Sequence, residues 1–237
     1  MPNPYFKFKQ FTVFHDRCAM KVGTDGVLLG AWTNIDNCER ALDIGTGSGL
    51  IALMMAQRNN KLSIDAIDID NCAFEQAKDN IKLSPFANQI DCINNSLQEL
   101  QIRPSKKYDI IVSNPPFFIQ SLKSPKQERT IARHTDTLSA EELVRISSTL
   151  LNRNGKISVI YPFSYKNSLL NIAKEYNLFV TRITTVYPTP TSLPKRILME
   201  ISNMATPLVE SELIIEKERH IYSDAFIELV KDYYLKM

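Results

Sequence analysis

Cysteine is scarce in this sequence of 237 residues. The four cysteines match neither the spacing of a zinc site nor a dense disulfide framework, since they are scattered: Cys18, Cys38, Cys72 and Cys92. No apolar run reaches the length of a membrane span, and the first residues lack the layout of a signal peptide. We therefore expect a reduced, cytoplasmic protein that holds no metal and does not enter a membrane.

A strong net charge is also lacking. The formal net charge of +2 neither requires nor excludes a nucleic acid, so the distribution of the basic residues is more informative than their sum. With 44% hydrophobic residues, the chain can build one large core or two modest ones. The sequence contains no low-complexity linker and no internal repeat, so we expect one compact unit.

Strand and helix patterns alternate between about residue 36 and residue 163, which predicts a mostly parallel sheet with helices on both faces. The predicted strands are 40–44, 62–67, 89–94, 107–113 and 156–161, and the predicted helices are 50–59, 72–83 and 139–151. Ser139 and Glu142 form a capping box for the last helix, and Gly155 is expected to end it.

The final third of the chain has a different pattern. Two predicted strands, 178–186 and 196–201, are joined by a loop with three prolines and suggest an antiparallel hairpin at the end of the sheet. A short strand at 212–215 and an amphipathic helix at 223–234 follow. At the other end, the alternation Phe6-Lys7-Phe8-Lys9 predicts a strand or hairpin arm with both lysines on one face.

Glycine is scarce as well, but three of the seven glycines cluster where the first strand of the alternating region meets its first helix. Gly45, Gly47 and Gly49 would let the backbone approach a ligand, and Asp68, at the end of the next strand, could accept hydrogen bonds from two ribose hydroxyls. The spacing is Gly-x-Gly-x-Gly and not the Gly-x-Gly-x-x-Gly of dinucleotide sites. A plain strand–helix turn remains the alternative for the glycines alone.

This turn resembles the S-adenosylmethionine site of class I methyltransferases. The resemblance implies that Asp43 helps to hold the ammonium group of the methionine tail, and that Ile69 belongs to the same site as Asp68. Many such enzymes have an aspartate after the third strand for the cofactor adenine. Here Asn95 and Ser96 occupy that region, so either one would have to make the contact with weaker hydrogen bonds.

An unusual asparagine follows the predicted strand 107–113. Pro115 and Pro116 hold Asn114 extended at the strand end, because a proline restricts the residue before it. The amine of adenine is a poor nucleophile, but the Asn114 side-chain oxygen and the Pro115 carbonyl could each accept one of its hydrogens and aim the nitrogen lone pair. Phe117 could stack on the flipped base. A surface turn is the alternative.

Asn-Pro-Pro-Phe resembles the fourth motif of amino methyltransferases. Together with the segments 20–32, Arg133-His134 and 226–235, this motif resembles the bacterial tRNA adenine N6-methyltransferases that modify valine tRNA beside the anticodon. The resemblance runs from about residue 5 to the end. It implies a Rossmann-like α/β fold with a mostly parallel seven-stranded sheet, S-adenosylmethionine as cofactor and tRNA as partner. We expect a monomer.

The same resemblance assigns further residues. Lys21 and Thr24 are candidates to lie over the methionine end of the cofactor, which makes residues 1–35 an arm and lid and 36–237 the catalytic domain. A basic loop follows the asparagine motif and could grip tRNA phosphates, with a rim completed by Lys7, Lys9, Lys195 and Arg196. The candidates in this loop are Lys123, Lys126, Arg129, Arg133 and His134. An ordinary solvated loop is the alternative.

Two other functions remain open. A protein glutamine N5-methyltransferase also acts on a planar nitrogen, that of the glutamine amide. Such enzymes, however, usually have tyrosine in place of Phe117 and a helical N-terminal domain. A non-catalytic nucleoside-binding module would not need Asn114.

Overall fold

In a computed structural model, residues 3–102, 106–116 and 138–236 are described. The strands are β1 Tyr5–Lys7, β2 Thr12–Phe14, β3 Arg40–Ile44, β4 Ser63–Asp68, β5 Ile90–Asn94, β6 Tyr108–Ser113, β7 Leu151–Pro162, β8 Phe179–Tyr187, β9 Arg196–Ser202, β10 Val209–Ile214, β11 Glu216–Glu218 and β12 Ile221–Tyr222. The helices are α1 Thr24–Trp32, α2 Leu50–Arg58, α3 Asn71–Leu83, α4 Leu97–Ile102, α5 Ala140–Leu150, α6 Lys166–Glu175 and α7 Asp224–Val230.

The central sheet has the strand order β10-β8-β9-β7-β6-β3-β4-β5. Only β9 is antiparallel to its two neighbours, so the predicted mostly parallel sheet with a C-terminal antiparallel hairpin is confirmed. The sheet has eight strands, one more than the seven predicted, because β10 adds to the edge parallel to β8. The first four residues of β10 are exposed and include Glu210 and Glu212, which weakens the strand signal in the sequence.

Both faces of the sheet are buried, which is typical of parallel sheets with helical crossovers. Along β6, Ile110 and Val112 join a cluster with α1, α2 and α7, whereas Ile111 joins a second cluster with α5 and α6. This arrangement confirms the prediction of helices on both faces. It also explains why the strand reads as a continuous apolar run in place of an alternating one.

The structure corrects the role of Gly155. Helix α5 ends at Leu150, and β7 begins at the next residue, so Gly155 lies inside the strand and does not end the helix. Leu151 pairs with Tyr108 and Lys156 pairs with Ile110, which leaves four residues of β7 in a bulge opposite a single residue of β6. A Cβ atom on Gly155 would lie 2.9 Å from the Tyr108 carbonyl oxygen. The bulge therefore needs glycine because of this close approach.

The predicted N-terminal arm is an antiparallel hairpin of β1 and β2. Phe8 stacks on Tyr234, and the Lys9 side chain donates a hydrogen bond of 2.6 Å to the carbonyl of Lys231. These contacts attach the arm to the C-terminal end of the described chain.

A buried asparagine attaches the arm to the glycine turn. Asn80 lies on the buried face of α3, where its amide nitrogen donates to the carbonyls of Phe14 at 2.7 Å and Ser48 at 2.9 Å. Its side-chain oxygen accepts a hydrogen bond from the Phe14 amide at 3.0 Å. The sequence gives no signal for this role, because a single asparagine in a helical stripe forms no motif.

Replacing Asn80 is expected to destabilise the protein. In Asn80→Ala, two carbonyls and one amide of the backbone lose their partner, and the free energy of unfolding should fall by about 3 kcal/mol. Urea denaturation measures this change. The control is Asn71→Ala on the exposed side of the same helix, which should change stability by less than about 0.5 kcal/mol. Equal losses in the two variants would contradict the role given to Asn80.

Candidate functional site

The carboxyl ends of four parallel strands bring most of the predicted site residues to one edge of the sheet. Ile44 at the end of β3 is in register with Ile67 of β4 and with Ser113 of β6, and Asp68 is in register with Asn94 of β5. Ligands of open α/β sheets bind at this edge. The glycine turn, Asp68 and Asn114 therefore meet at the place where such a sheet holds its ligand.

The glycine turn leaves open space at two of its three glycines. Gly45, Gly47 and Gly49 have φ angles of +67°, +58° and +80°, which side-chain-bearing residues rarely adopt. A Cβ atom on Gly45 or Gly47 would meet nothing within 4 Å, whereas one on Gly49 would lie 3.5 Å from the Ala77 side chain. Thus the first two glycines keep room for a ligand, and the third lets α2 approach α3.

Asp43 is a fully buried carboxylate beneath this turn. One oxygen, Oδ2, accepts hydrogen bonds from the Thr46 hydroxyl at 2.6 Å and the Ala52 amide at 3.2 Å. Its other oxygen, Oδ1, is buried and has no hydrogen-bond partner in the described part of the chain. Burial raises the pKa of Asp43 to about 7, although both hydrogen bonds lower it. A buried acceptor without a partner suits a donor or cation from a ligand.

Asp68 is the last residue of β4 and is also nearly buried. Its oxygens accept hydrogen bonds from the amides of Gly47 at 2.8 Å and Asp70 at 2.9 Å. Burial raises the pKa of Asp68, while these hydrogen bonds oppose the shift. Each carboxylate oxygen keeps a further lone pair that could accept from a ligand hydroxyl. The neighbouring Ile69 is 61% exposed, which leaves its apolar side chain open beside this acid.

The residues after β5 are engaged in local structure. Ser96 accepts a hydrogen bond from the Glu99 amide at 3.1 Å at the start of α4, and Asn95 accepts one from the Ser96 amide at 2.8 Å. The backbone amide of Asn95 donates to the Asp68 carbonyl at 3.1 Å, which holds this segment beside the end of β4. The helix-capping role of Ser96 was not foreseen from its position in the sequence.

Asn114 is half-buried directly after β6, followed by the buried Pro115 and the exposed Pro116. The Ser113 hydroxyl donates to the Ile44 carbonyl at 2.9 Å, which ties the start of this motif to the end of β3. Among residues 3–102, 106–116 and 138–236, none makes a hydrogen bond to the Asn114 side chain. Within the described part of the chain, the hydrogen-bonding groups of its amide therefore have no protein partner.

Helix α1 covers Asn114 with a glycine. A Cβ atom on Gly26 would lie 3.9 Å from Asn114 Nδ2 and 3.0 Å from Leu50 Cδ2. Lys21 and Thr24, the candidates for the cofactor tail, are exposed just before and at the start of this helix. The structure therefore brings the predicted lid segment and the asparagine motif into one neighbourhood.

Arg196, predicted as part of a phosphate-binding rim, is paired with an acid. Its Nε donates to Asp25 of α1 at 2.7 Å. Lys195 and Lys7 are exposed, and Lys9 is engaged with the C-terminal segment as described above. Six predicted site residues lie outside the described part of the chain and stay predictions: Phe117, Lys123, Lys126, Arg129, Arg133 and His134.

Within the described ranges, no group of three or more His, Cys, Asp or Glu side chains is arranged to hold a metal ion. No helix in the same ranges is long and apolar enough to cross a membrane.

Comparison with solved structures shows a shared fold. A predicted O-methyltransferase from Agrobacterium tumefaciens superposes with a TM-score of 0.68 at 18% identity, over 88% of this chain and 96% of that one. A chain of aTrm5 in complex with tRNALeu has a TM-score of 0.58 at 16% identity, over 84% of this chain and 52% of that one. At these identities the likeness concerns the fold alone.

Sequence comparison gives the family. Residues 22–177 match the family model described as the methyltransferase small domain. The tRNA1(Val) (adenine(37)-N6)-methyltransferase of Parabacteroides distasonis is 54% identical over 100% of both chains. The proteins of the same name from Phocaeicola vulgatus and Trichodesmium erythraeum are 49% and 47% identical, over 100% and 98% of both chains. This chain therefore belongs to the methyltransferase small-domain family and, within it, to the family of the tRNA1(Val) (adenine(37)-N6)-methyltransferases.

Proposed function

We propose that this chain transfers a methyl group from S-adenosylmethionine to the N6 amine of adenine 37 in a valine tRNA. Eight full-length or nearly full-length relatives at 44–54% identity are named for this reaction, which supports the assignment. The observation in the structure that carries the proposal is the position of Asn114. It directly follows β6 beside the glycine turn after β3, and its amide has no hydrogen-bond partner in the described part of the chain.

The residues at this edge fit the methyl donor. The unpartnered Oδ1 of buried Asp43 suits the ammonium group of its tail, and the open space at Gly45 and Gly47 lets the backbone approach it. Asp68 has lone pairs for the ribose hydroxyls, and the exposed Ile69 offers an apolar surface for the adenine ring. When bound, S-adenosylmethionine supplies a methyl group on a positively charged sulfur. Asn95 or Ser96 would hold its adenine.

The chain's own part in the reaction is to orient the amine of the target base. The side-chain oxygen of Asn114 and the carbonyl of Pro115 each accept one amine hydrogen, which turns the nitrogen lone pair out of the ring system and towards the methyl group. Asn114 follows a paired strand and precedes two prolines, which restrict its backbone and favour a preorganised acceptor. Phe117 would stack on the face of the flipped adenine.

A role of the N-terminal segment as a lid over the donor site is supported by α1, where a Cβ atom on Gly26 would lie 3.9 Å from Asn114 Nδ2. Lys21 lies just before this helix, and Thr24 is its first residue. We assign residues 1–35 to this arm and lid and residues 36–237 to the catalytic domain, with both parts sharing one hydrophobic cluster.

We expect the basic loop after the asparagine motif to bind the tRNA backbone, and the enzyme to act as a cytoplasmic monomer. A protein glutamine N5-methyltransferase and a nucleoside-binding module are not favoured, because the relatives carry the name of a tRNA adenine methyltransferase along their whole length.

The proposed function depends most directly on Asn114. In single-turnover methylation of unmodified valine tRNA with saturating tRNA and donor, Asn114→Ala should lower the rate by roughly 10²–10³-fold, the usual loss for one preorganised polar contact. Its affinity for the donor should stay nearly unchanged. Asn114→Asp keeps an acceptor oxygen and should be faster than the alanine variant but slower than wild type.

The matched control for this series is Asn167→Ala on the exposed surface of α6, which should keep the wild-type rate. An alanine variant of Asn114 as fast as wild type, or an aspartate variant no faster than alanine, would show that the side chain does not act as the acceptor.

Donor affinity should depend on pH through Asp43. Its pKa in the folded protein is about 7, above the ordinary value, so the carboxyl is protonated below about pH 7 and ionised above it. Since only the ionised form attracts an ammonium group, affinity should fall about five- to tenfold for each pH unit below 7. Calorimetric titration with S-adenosylhomocysteine, which has the same tail, measures this dependence.

Asp43→Asn provides the comparison for this titration. This variant should bind S-adenosylhomocysteine more weakly than wild type at pH 7.5. Its affinity should also decrease less than that of wild type between pH 7 and pH 6. An equal decrease in affinity in wild type and variant would show that Asp43 does not hold the ammonium group.

Binding of tRNA should depend steeply on salt if the basic loop contacts phosphates. Replacing Lys123 and Lys126 together by alanine should reduce the slope of log affinity against log salt by about two units, one for each lost contact. The control replaces the exposed Lys82 and Lys174, on α3 and α6, and should keep the wild-type slope. A slope that the first pair leaves unchanged would mean that this loop does not carry the binding.

A further inference from the structure

A proline-containing loop lies on the same edge of the sheet as Asn114. Residues 188–195, which we name the proline loop, connect β8 to β9 and contain Pro188, Pro190 and Pro194. The first residue of β9, Arg196, is in register with Pro162 at the carboxyl end of β7. Because β9 is two strands from β6 and neighbouring strands are about 4.8 Å apart, the loop ends about 10 Å from β6, the strand that precedes Asn114.

Hydrogen bonds hold the proline loop in one shape. The hydroxyls of Thr189 and Ser192 lie 2.6 Å apart, and the Ser192 amide donates to the Thr189 carbonyl at 3.1 Å. The Lys195 amide donates to the Val186 carbonyl at 2.9 Å, and the Lys195 carbonyl accepts from the Phe163 amide at 3.1 Å. With three prolines restricting φ as well, the loop would lose little conformational entropy on binding a partner.

This ordered loop exposes one large apolar side chain next to a basic one. Leu193 is 82% exposed, the highest value among the large hydrophobic residues of the described ranges, and Lys195 is also exposed. A single exposed leucine is ordinary on a protein surface. Here, however, it is held on an ordered loop at the same edge of the sheet as Asn114.

The loop is also coupled to the asparagine motif. Arg196 follows it directly, and its Nε donates to Asp25 Oδ2 at 2.7 Å, with the two side chains only 32% and 27% exposed. The next residue in α1, Gly26, is the one whose Cβ would lie 3.9 Å from Asn114 Nδ2. Thus a contact made by the loop is fixed in position relative to the reacting centre.

We propose that the proline loop is a docking surface for the anticodon arm of the tRNA on which the function proposed above acts. Leu193 packs against a base or ribose face, Lys195 pairs with a backbone phosphate, and Arg196 is a positioning residue that fixes this contact relative to Asn114 through Asp25. An apolar side chain beside a cation suits RNA, which presents both base faces and phosphates. This surface lies outside the basic loop after the asparagine motif.

The test measures binding and rate separately with full-length protein and unmodified valine tRNA. Leu193→Ala should weaken tRNA binding about tenfold, and excess tRNA should restore most of the single-turnover rate. Lys195→Ala should reduce the salt slope by about one unit. Arg196→Ala should lower the rate at saturating tRNA more than it weakens binding, and Arg196→Lys should recover most of that rate.

The matched control is Leu83→Ala, which truncates a leucine that is 72% exposed at the end of α3 and should leave tRNA binding unchanged. Wild-type affinity in the Leu193→Ala variant would overturn the docking surface while the proposed function stands, provided that the wild-type enzyme methylates the tRNA. The Leu193→Ala variant could instead lose binding to anionic phospholipid vesicles and keep its affinity for tRNA. That result would overturn the tRNA docking surface in favour of a membrane contact. A wild-type enzyme that does not bind tRNA would overturn both proposals.

Discussion

The parallel pairing of β3 with β6 is the constraint on which the rest of the site depends. It sets Ile44 in register with Ser113, and the Ser113 hydroxyl donates to the Ile44 carbonyl. The residues that follow each strand, the glycine turn on one side and Asn114 on the other, must therefore lie side by side. A shift of one residue in this register would turn every side chain of β6 to the opposite face and break both hydrophobic clusters. Stability and site geometry thus depend on the same pairing.

Helix α1 packs beside Asn114 and against α2. A Cβ atom on Gly30 would lie 2.8 Å from the sulfur of Met54, so a larger residue at this close approach to α2 would require the Met54 side chain to move. At its far end, the Trp32 indole donates to the Thr184 hydroxyl at 2.8 Å, and the Arg182 guanidinium lies 3.6 Å from the indole ring centre. The helix is held at both ends, because its first turn pairs with Arg196. It can therefore set the distance between the N-terminal arm and Asn114.

The sequence predicted those features that depend on local pattern. The main strands of the sheet, the helices α2, α3, α5 and α7, the capping of α5 by Ser139 and the place of Asp68 at a strand end all follow from short-range rules, whereas α1, α4 and α6 were not predicted. Features that depend on tertiary placement were missed or misjudged. The prediction that Gly155 ends a helix is wrong, because a bulge against Tyr108 leaves no local signal, and the ion pair of Arg196 with Asp25 was missed because the two residues are 171 positions apart in the sequence.

Local sequence pattern does not identify the substrate either. The residues themselves indicate a nucleoside ligand and an oriented amine. Valine tRNA was inferred from a resemblance to a family and is supported by the names of full-length relatives.

The most direct measurement maps the methyl group itself. Incubation of the purified chain with labelled S-adenosylmethionine, unmodified total tRNA and a protein extract, followed by mass spectrometry, should find N6-methyladenosine at position 37 of valine tRNA. Label in protein glutamine, or at another nucleotide, would contradict the account.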